Sequence, residues 1–395
     1  MDIKNQFPIF KNNPDLIYFD NASTTQKPQC VIDAMVNFYS SCNANVHRGA
    51  YKIAEQATAQ FENSRQIIAK FLNANENEII FTKGTTESIN LIAYSLESKL
   101  KPGDEIIISE MEHHSNIIPW QMLQKNNISI KYAPINNQGE IDIKQLESLI
   151  TTNTKLISVI HMSNVLGSIN SLDQIINLAK QNNILTLIDA AQSISHEKIN
   201  VQELNCDFLV FSGHKIMGPT GVGVLYMKAK HADSMEPFLR GGQMIKEVTK
   251  NNTTWNDFPW KFEAGTPNIA QVIGLSKSIE YINELGLDNI KIYEQDLLNY
   301  LLLNLKNIHD IDILAHHNSS GPIVSFNIPG CHPYDIAKLL DGKNICIRAG
   351  HHCAQILMES LKINYTNRIS LFIYNSKKEI DYFIEHLLKV ITILK

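Results

Sequence analysis

The chain reads as an α/β protein, with a mainly parallel sheet in a large domain followed by a smaller α+β unit. Three observations predict this. Short β-branched runs alternate with stretches of helical period from about residue 78 to 228, most of the runs are apolar throughout, and the rhythm breaks over 229–268 before helices and strands resume. Strands buried on both faces of a parallel sheet have that unbroken apolar character.

Seven segments carry the strand pattern: 78–82 (EIIFT), 105–109 (EIIIS), 128–133, 155–161 (KLISVIH), 184–189 (ILTLID), 207–212 (DFLVFS) and 221–228 (GVGVLYMK). In such sheets ligands gather at the carboxyl ends of the strands, where Thr85, Ser109, His161, Asp189 and Ser212 fall. The stretch 229–268 carries Gly241-Gly242, Asn251-Asn252, three prolines and two of the three tryptophans. It reads as an extended loop or hairpin whose aromatics Trp255, Phe258, Trp260 and Phe262 need packing, with another subunit as one candidate. Two helical stretches follow Asn268, then strands near 311–314, 322–328, 344–349 and 367–373, and a last helix over 376–394.

Length and composition bound the function classes. At 395 residues with 44% hydrophobic and 19% charged residues, the chain fits an ordinary globular protein of two domains. Its net charge of −5 comes with scattered Lys and Arg, so there is no footprint for nucleic acid. The start, Met1-Asp2-Ile3-Lys4, lacks the regions of a signal peptide, and no apolar run reaches membrane-spanning length. Six dispersed cysteines without a C-x-x-C pair give neither a disulfide framework nor a zinc knuckle. A reducing, cytoplasmic compartment is expected.

Candidate chemistry concentrates in a few segments. Arg348-Ala349-Gly350-His351-His352-Cys353 crowds one thiol with three side chains able to carry positive charge, and neighbouring cations favour the nucleophilic thiolate. Ser212-Gly213-His214-Lys215 ends a hydrophobic strand with a lysine, the residue type that condenses with pyridoxal phosphate. Asp189 closes another strand, where a carboxylate can pair with a protonated pyridine nitrogen. By themselves these two have plainer readings, as a solvated charge and a turn residue. Lys83-Gly84-Thr85-Thr86-Glu87-Ser88 converges hydroxyls and free N–H groups at a helix start, an anion site or simply a cap in which Thr85 or Thr86 is the capping residue. Gly218-Pro219-Thr220-Gly221-Val222-Gly223 precedes a strand rather than a helix and reads as a tight turn.

Glu112-His113-His114 offers an imidazole for ring stacking or proton transfer, or a polar surface pair; no metal ligand spacing accompanies it. Arg368 opens a strand with a planar fork suited to a carboxylate, or to a surface ion pair. Cys346, alternating with isoleucines, reads as a small core hydrophobe.

Together these motifs resemble the cysteine desulfurases among the class V, fold-type I pyridoxal-phosphate enzymes, and within them the group II branch typified by SufS. The resemblance runs nearly end to end, through Tyr18-Phe19-Asp20-Asn21-Ala22, Gln26-Lys27-Pro28, Asn45-Val46-His47-Arg48-Gly49, Met111-Glu112-His113-His114, Ser163-Asn164-Val165-Leu166-Gly167, Asp189-Ala190-Ala191-Gln192 and Glu263-Ala264-Gly265-Thr266-Pro267-Asn268. Arg-x-Gly-His-His-Cys-Ala at 348–354 is the form that points to group II. Two positions depart from the pattern: Arg240 precedes the paired glycines in place of a small residue, and Ile356 stands where a proline commonly follows the cysteine.

The resemblance implies a large cofactor domain over 16–268, and a small domain formed by 1–15 and 269–395. It implies pyridoxal 5'-phosphate held by Lys215, with Asp189 at the pyridine nitrogen, Gln192 at the phenolic oxygen and His113 stacked on the ring. Thr85, Thr86, Ser212 and His214 would hold the phosphate, with Thr266 arriving from the partner subunit of a homodimer. Asn164 and Arg368 would take the carboxylate of L-cysteine, and Cys353 its sulfur. A SufE-like or SufU-like acceptor and the SufBCD scaffold of iron–sulfur cluster assembly are the implied partners. Selenocysteine lyase, cysteine sulfinate desulfinase, an aminotransferase or kynureninase-like hydrolase, and a cofactor-free scaffold are the alternatives.

Overall fold

A computed structural model describes residues 3–315 and 320–395; Met1 and Asp2, the first residues of the segment expected to join the small domain, lie outside the described residues. After a short strand β1 (Ile17–Tyr18) the chain lays down β2 (Ile79–Thr82), β3 (Glu105–Ser109), β4 (Ser129–Ala133), β5 (Thr154–Ile160), β6 (Leu185–Asp189), β7 (Phe208–Ser212) and β8 (Gly223–Met227). The last seven form one sheet in the order β2-β8-β7-β6-β5-β3-β4. All seven expected strands are present, each within a residue or two of the expected limits.

Every neighbouring pair from β7 to β4 is parallel, whereas β8 runs antiparallel to both β7 and β2. Only residues 213–222 separate β7 from β8. A connection that short returns the chain antiparallel, since a parallel return needs a crossover of a dozen or more residues. The apolar runs follow from burial on both faces. Leu209 and Phe211 of β7 enter one core layer, while Phe208 and Val210 enter the layer on the opposite side.

Over 229–268 the chain forms the expected hairpin, β9 (Ile245–Val248) with β10 (Thr253–Trp255). Part of its aromatic content packs within the same chain: Phe262 is buried against Phe258, and Trp260 meets His47 edge-on. The helix Ile269–Leu285 then lies on the helices Gln29–Ser41 and Lys52–Leu72.

The second unit is a four-stranded antiparallel sheet, β11 (Asp312–Ile313), β12 (Ile323–Asn327), β15 (Thr366–Ser370) and β14 (Arg348–Gly350) in that spatial order. Phe326 and Ile369 from this sheet pack with Leu301, Ile336, Phe383 and Leu387 from the covering helices Leu287–Lys306, Pro333–Asp341 and Lys377–Leu394. The single strand expected over 344–349 is divided. Its first part, β13 (Ile345–Cys346), pairs with β1, and its second part, β14, pairs with β15. Cys346 is half-buried rather than a core residue: its neighbour Ile345 takes the buried face, and the thiol lines a surface groove with Tyr334, Asp335 and Ile347. Phe7 meets Tyr374 edge-on and Phe10 meets it at a tilt, all three within the core layer that also holds Leu209 and Phe211 of β7.

Candidate active site

The carboxyl ends of β5, β6 and β7 open into a cavity of about 170 Å³ that the second unit closes with Arg348, His352 and Arg368. Its lining includes Thr85, Thr86, His113, Asn164, Asp189, Gln192, Ser212, His214, Lys215 and Arg368, so ten of the twelve expected site residues meet here. Thr266 is the one placed elsewhere. It is exposed, in a second hollow with Lys83, Glu87 and Leu239. Cys353 stands beside the cavity rather than in its lining.

One end of the cavity is a hydroxyl cluster at a helix start. Ser212 Oγ accepts from Thr85 N at 2.9 Å and lies 2.8 Å from Thr85 Oγ1, and Thr86 Oγ1 meets Ser115 Oγ at 2.7 Å. Gly84, not a threonine, occupies the cap position of the helix Thr85–Glu97, so both threonines sit in its first turn, where the backbone N–H groups lack carbonyl partners within the helix. The helix can come down this close because β8 begins with Gly223, where a Cβ would collide with the Gly84 backbone.

Lys215 follows β7 in the short helix Gly213–Lys215. Burial pushes its amine down to about 8; Asp189 opposes that shift, and Arg368 and Arg348 reinforce it. Asp189 is 2% exposed at the end of β6 and accepts from Ala191 N at 2.8 Å. Burial raises its carboxyl above the usual range, against the Ala191 N–H and the Lys215 charge. This buried carboxylate faces a cavity with one backbone donor, which fits a cationic ring nitrogen. His113 accepts from Ser115 N through Nδ1, and burial followed by Lys215 holds it down to about 3, a neutral imidazole. Gln192 Nε2 donates to Ala22 O at 2.9 Å. The His214 carbonyl, next to Lys215, accepts from Thr25 N and from Lys27 Nζ, both at 3.0 Å.

At the other end, Arg368 donates through Nη1 to Asn164 O at 2.9 Å and through Nη2 to Asp20 Oδ1 at 2.8 Å. Its Nε is buried with no partner among the described residues, a cationic donor suited to an incoming carboxylate. Asn164 Nδ2 holds the His352 carbonyl at 2.8 Å.

The Cys353 segment is pinned and strained. The Cys353 carbonyl accepts from His114 N at 2.8 Å, its N–H points to His351 Nδ1 at 3.3 Å, and its Sγ lies 3.9 Å from Arg348 Nη2. His352 and Cys353 take φ of 53° and 58°, left-handed backbone that costs about 1 kcal/mol or more per non-glycine residue. The half-exposed thiol is therefore presented beside a cation, outside apolar packing.

Sequence reasoning missed two contributions. Asp20 and Ser23, just past β1, bind the arginines of the site. Glu112 is fully buried behind His113, where it accepts from Ile160 N at 2.9 Å, Asn116 Nδ2 at 2.7 Å and the Ser109 hydroxyl. Burial pushes its carboxyl up to about 8 despite those donors. Among the described residues no cluster of His, Cys, Asp and Glu could hold a metal ion, and no helix is long and apolar enough to cross a membrane.

The aminotransferase class-V family model matches residues 17–383. A cysteine desulfurase of Wigglesworthia glossinidia brevipalpis is 46% identical over 397 residues, covering 98% of this chain and 97% of that protein. The cysteine desulfurase of Escherichia coli strain K12 / DH10B is 42% identical over 395 residues, with 98% and 97% covered. Among solved structures, the apo cysteine desulfurase of Thermococcus onnurineus NA1 superposes with a TM-score of 0.96 at 39% identity, covering 100% of this chain and 98% of that one. The cysteine desulfurase CsdA (S-sulfonic acid) of Escherichia coli gives 0.94 at 36% identity, with the same coverage. With a family match over most of its length and these relatives in full register, the chain belongs to the aminotransferase class-V family.

Proposed function

We propose that the protein is a cysteine desulfurase that takes the sulfur of L-cysteine onto Cys353 as a persulfide and releases L-alanine. One observation carries the reading: a lysine amine lowered to about 8 and a buried carboxylate share a cavity whose Arg348 guanidinium also touches the Cys353 thiol. The fold is that of the fold-type I transferases that use pyridoxal 5'-phosphate. When bound, this cofactor withdraws electrons from the bonds around the substrate Cα.

The residues of the chain divide the remaining work. Lys215 would hold the cofactor, Asp189 its pyridine nitrogen and Gln192 its phenolic oxygen, and neutral His113 would stack on the ring. Thr85, Thr86, Ser212 and His214 would bind the phosphate at the start of the helix Thr85–Glu97, where anions are stabilised. Thr266 is exposed in its own subunit, and this supports a homodimer in which it reaches the partner's phosphate. Arg368 and Asn164 would hold the substrate carboxylate. Lys215 Nζ, neutral above about pH 8, accepts the Cα proton. Cys353 thiolate attacks the substrate sulfur, the carbon–sulfur bond breaks with its electron pair left on carbon, and protonation of that carbon yields alanine. Holding both sulfurs together supplies effective concentration worth roughly 7 kcal/mol or more in favourable cases.

The division into domains at 16–268, with 1–15 and 269–395 as the small domain, is supported by the Lys4–Glu379 ion pair, which joins the N-terminal segment to the last helix. Further parts of the reading are a SufE-like or SufU-like acceptor for the persulfide, delivery to a SufBCD scaffold for iron–sulfur assembly, and a cytoplasmic setting without nucleic acid or membrane.

The test is alanine formation from L-cysteine by the cofactor-loaded protein. The wild type produces alanine and Lys215→Ala produces none. Alanine from Lys215→Ala would contradict the assignment, and faster turnover of L-selenocysteine or L-cysteine sulfinate would move it to a lyase or desulfinase.

A further inference from the structure

Ser23 has no part in the chemistry above, yet it joins two arginines. Its hydroxyl accepts from Arg348 Nη1 at 2.8 Å and from Arg368 Nη2 at 2.9 Å, and donates to Asp20 Oδ1 at 2.7 Å. Those three bonds use the one donor and both acceptor positions that a serine hydroxyl has. Two guanidinium groups converging on one oxygen repel each other, and the Asp20 carboxylate beside them offsets that repulsion.

The two arginines depend on Ser23 unequally. Arg368 keeps Asn164 O and Asp20 Oδ1 whether or not the serine is present. Arg348 has one other polar partner among the described residues, and that partner is Cys353 Sγ at 3.9 Å. Without Ser23, no other polar group among the described residues aims the Arg348 guanidinium at the thiol.

We propose that Ser23 is a positioning residue that fixes Arg348 against the Cys353 thiol and registers it to the arginine that takes the substrate carboxylate. The inference rests on the roles given above to Cys353 and Arg368. The hydroxyl sits on the segment after β1, while Arg348 and Arg368 belong to the adjacent strands β14 and β15. It therefore sets the distance between the site that grips the substrate and the cation that touches the attacking thiol.

The experiment is iodoacetamide labelling of Cys353 across a pH series in the cofactor-loaded protein, followed by mass spectrometry of the peptide containing Cys353, with steady-state kinetics alongside. Ser23→Ala is expected to slow labelling near neutral pH by roughly three- to tenfold, the range that one net hydrogen bond spans. It is also expected to lower kcat while leaving KM within about twofold. Ser23→Thr, which keeps the hydroxyl, restores both. Labelling of Ser23→Ala at the wild-type rate throughout the series, a rise in KM matching the fall in kcat, or failure of Ser23→Thr to rescue would each overturn the proposal. Labelling needs no turnover, so a protein that forms no persulfide at all would defeat the functional assignment while this readout still reports on Ser23.

Discussion

Replacing Arg368 by lysine keeps the positive charge and removes the fork, which separates geometry from electrostatics at the substrate end of the site. The guanidinium is 1% exposed and makes three polar contacts, to Asn164 O, Asp20 Oδ1 and Ser23 Oγ, with Nε left over. A single ammonium head cannot reach Asn164 and Asp20 on either side and still present a donor to the cavity. A hydrogen bond to a charged group contributes about 1.5–3 kcal/mol net. Loss of the donor that meets the substrate carboxylate therefore raises KM by roughly 10- to 100-fold. The assay compares L-cysteine with cysteamine, which has the same amine and thiol but no carboxylate. Wild type discriminates strongly between them, and Arg368→Lys loses most of that preference while its rate on cysteamine barely changes. A variant with KM for L-cysteine within about twofold of wild type and undiminished discrimination would refute the carboxylate role.

Two further outcomes follow from the titrating groups. Lys215 condenses with the cofactor only as the neutral amine, so the rate at which the apo-protein takes up pyridoxal 5'-phosphate climbs as pH rises towards about 8 and levels off above it. A pH-independent uptake rate would show that this amine does not limit loading. Glu112 is raised from 4.5 to about 8 in the fold, so between those values the folded chain holds a proton that the unfolded chain has released. Stability therefore falls as pH rises through that window. Glu112→Gln removes this slope in denaturant titrations, whereas Glu112→Ala leaves the Ile160 N–H and the Asn116 amide unpaired and costs about 2–5 kcal/mol at any pH. A wild-type slope retained in Glu112→Gln would assign it to another group.

Much of this architecture was legible because the physics is local. The runs that became β5, β6 and β7 are largely apolar and buried at nearly every position, and Asp189, Ser212 and Lys215 could be placed at their carboxyl ends for that reason. Where partners are remote, the reading faltered. Residues 344–349 look like one strand, and the break at Ile347 exists because β1, some three hundred positions earlier, captures Ile345 and Cys346 while β15 captures Arg348. The same distance hid the bonding of Ser23 and Asp20 to Arg348 and Arg368, since nothing near β1 marks a hydroxyl that will join two arginines. Thr266 stands apart for a different reason, its proposed role needing a second copy of the chain. Asn164 and Gln192 were reached through the family pattern, because a buried asparagine or glutamine leaves no periodic trace of what it faces.

The destination of the substrate sulfur distinguishes Cys353 from any other nucleophile. Intact-protein and peptide mass spectrometry of the cofactor-loaded protein, after a single exposure to L-cysteine without acceptor or reductant, should show one added sulfur atom on Cys353, and none in Cys353→Ser despite unchanged cofactor absorbance. Sulfur found on another cysteine, or sulfide and alanine released at the wild-type rate by Cys353→Ser, would contradict the assignment to Cys353.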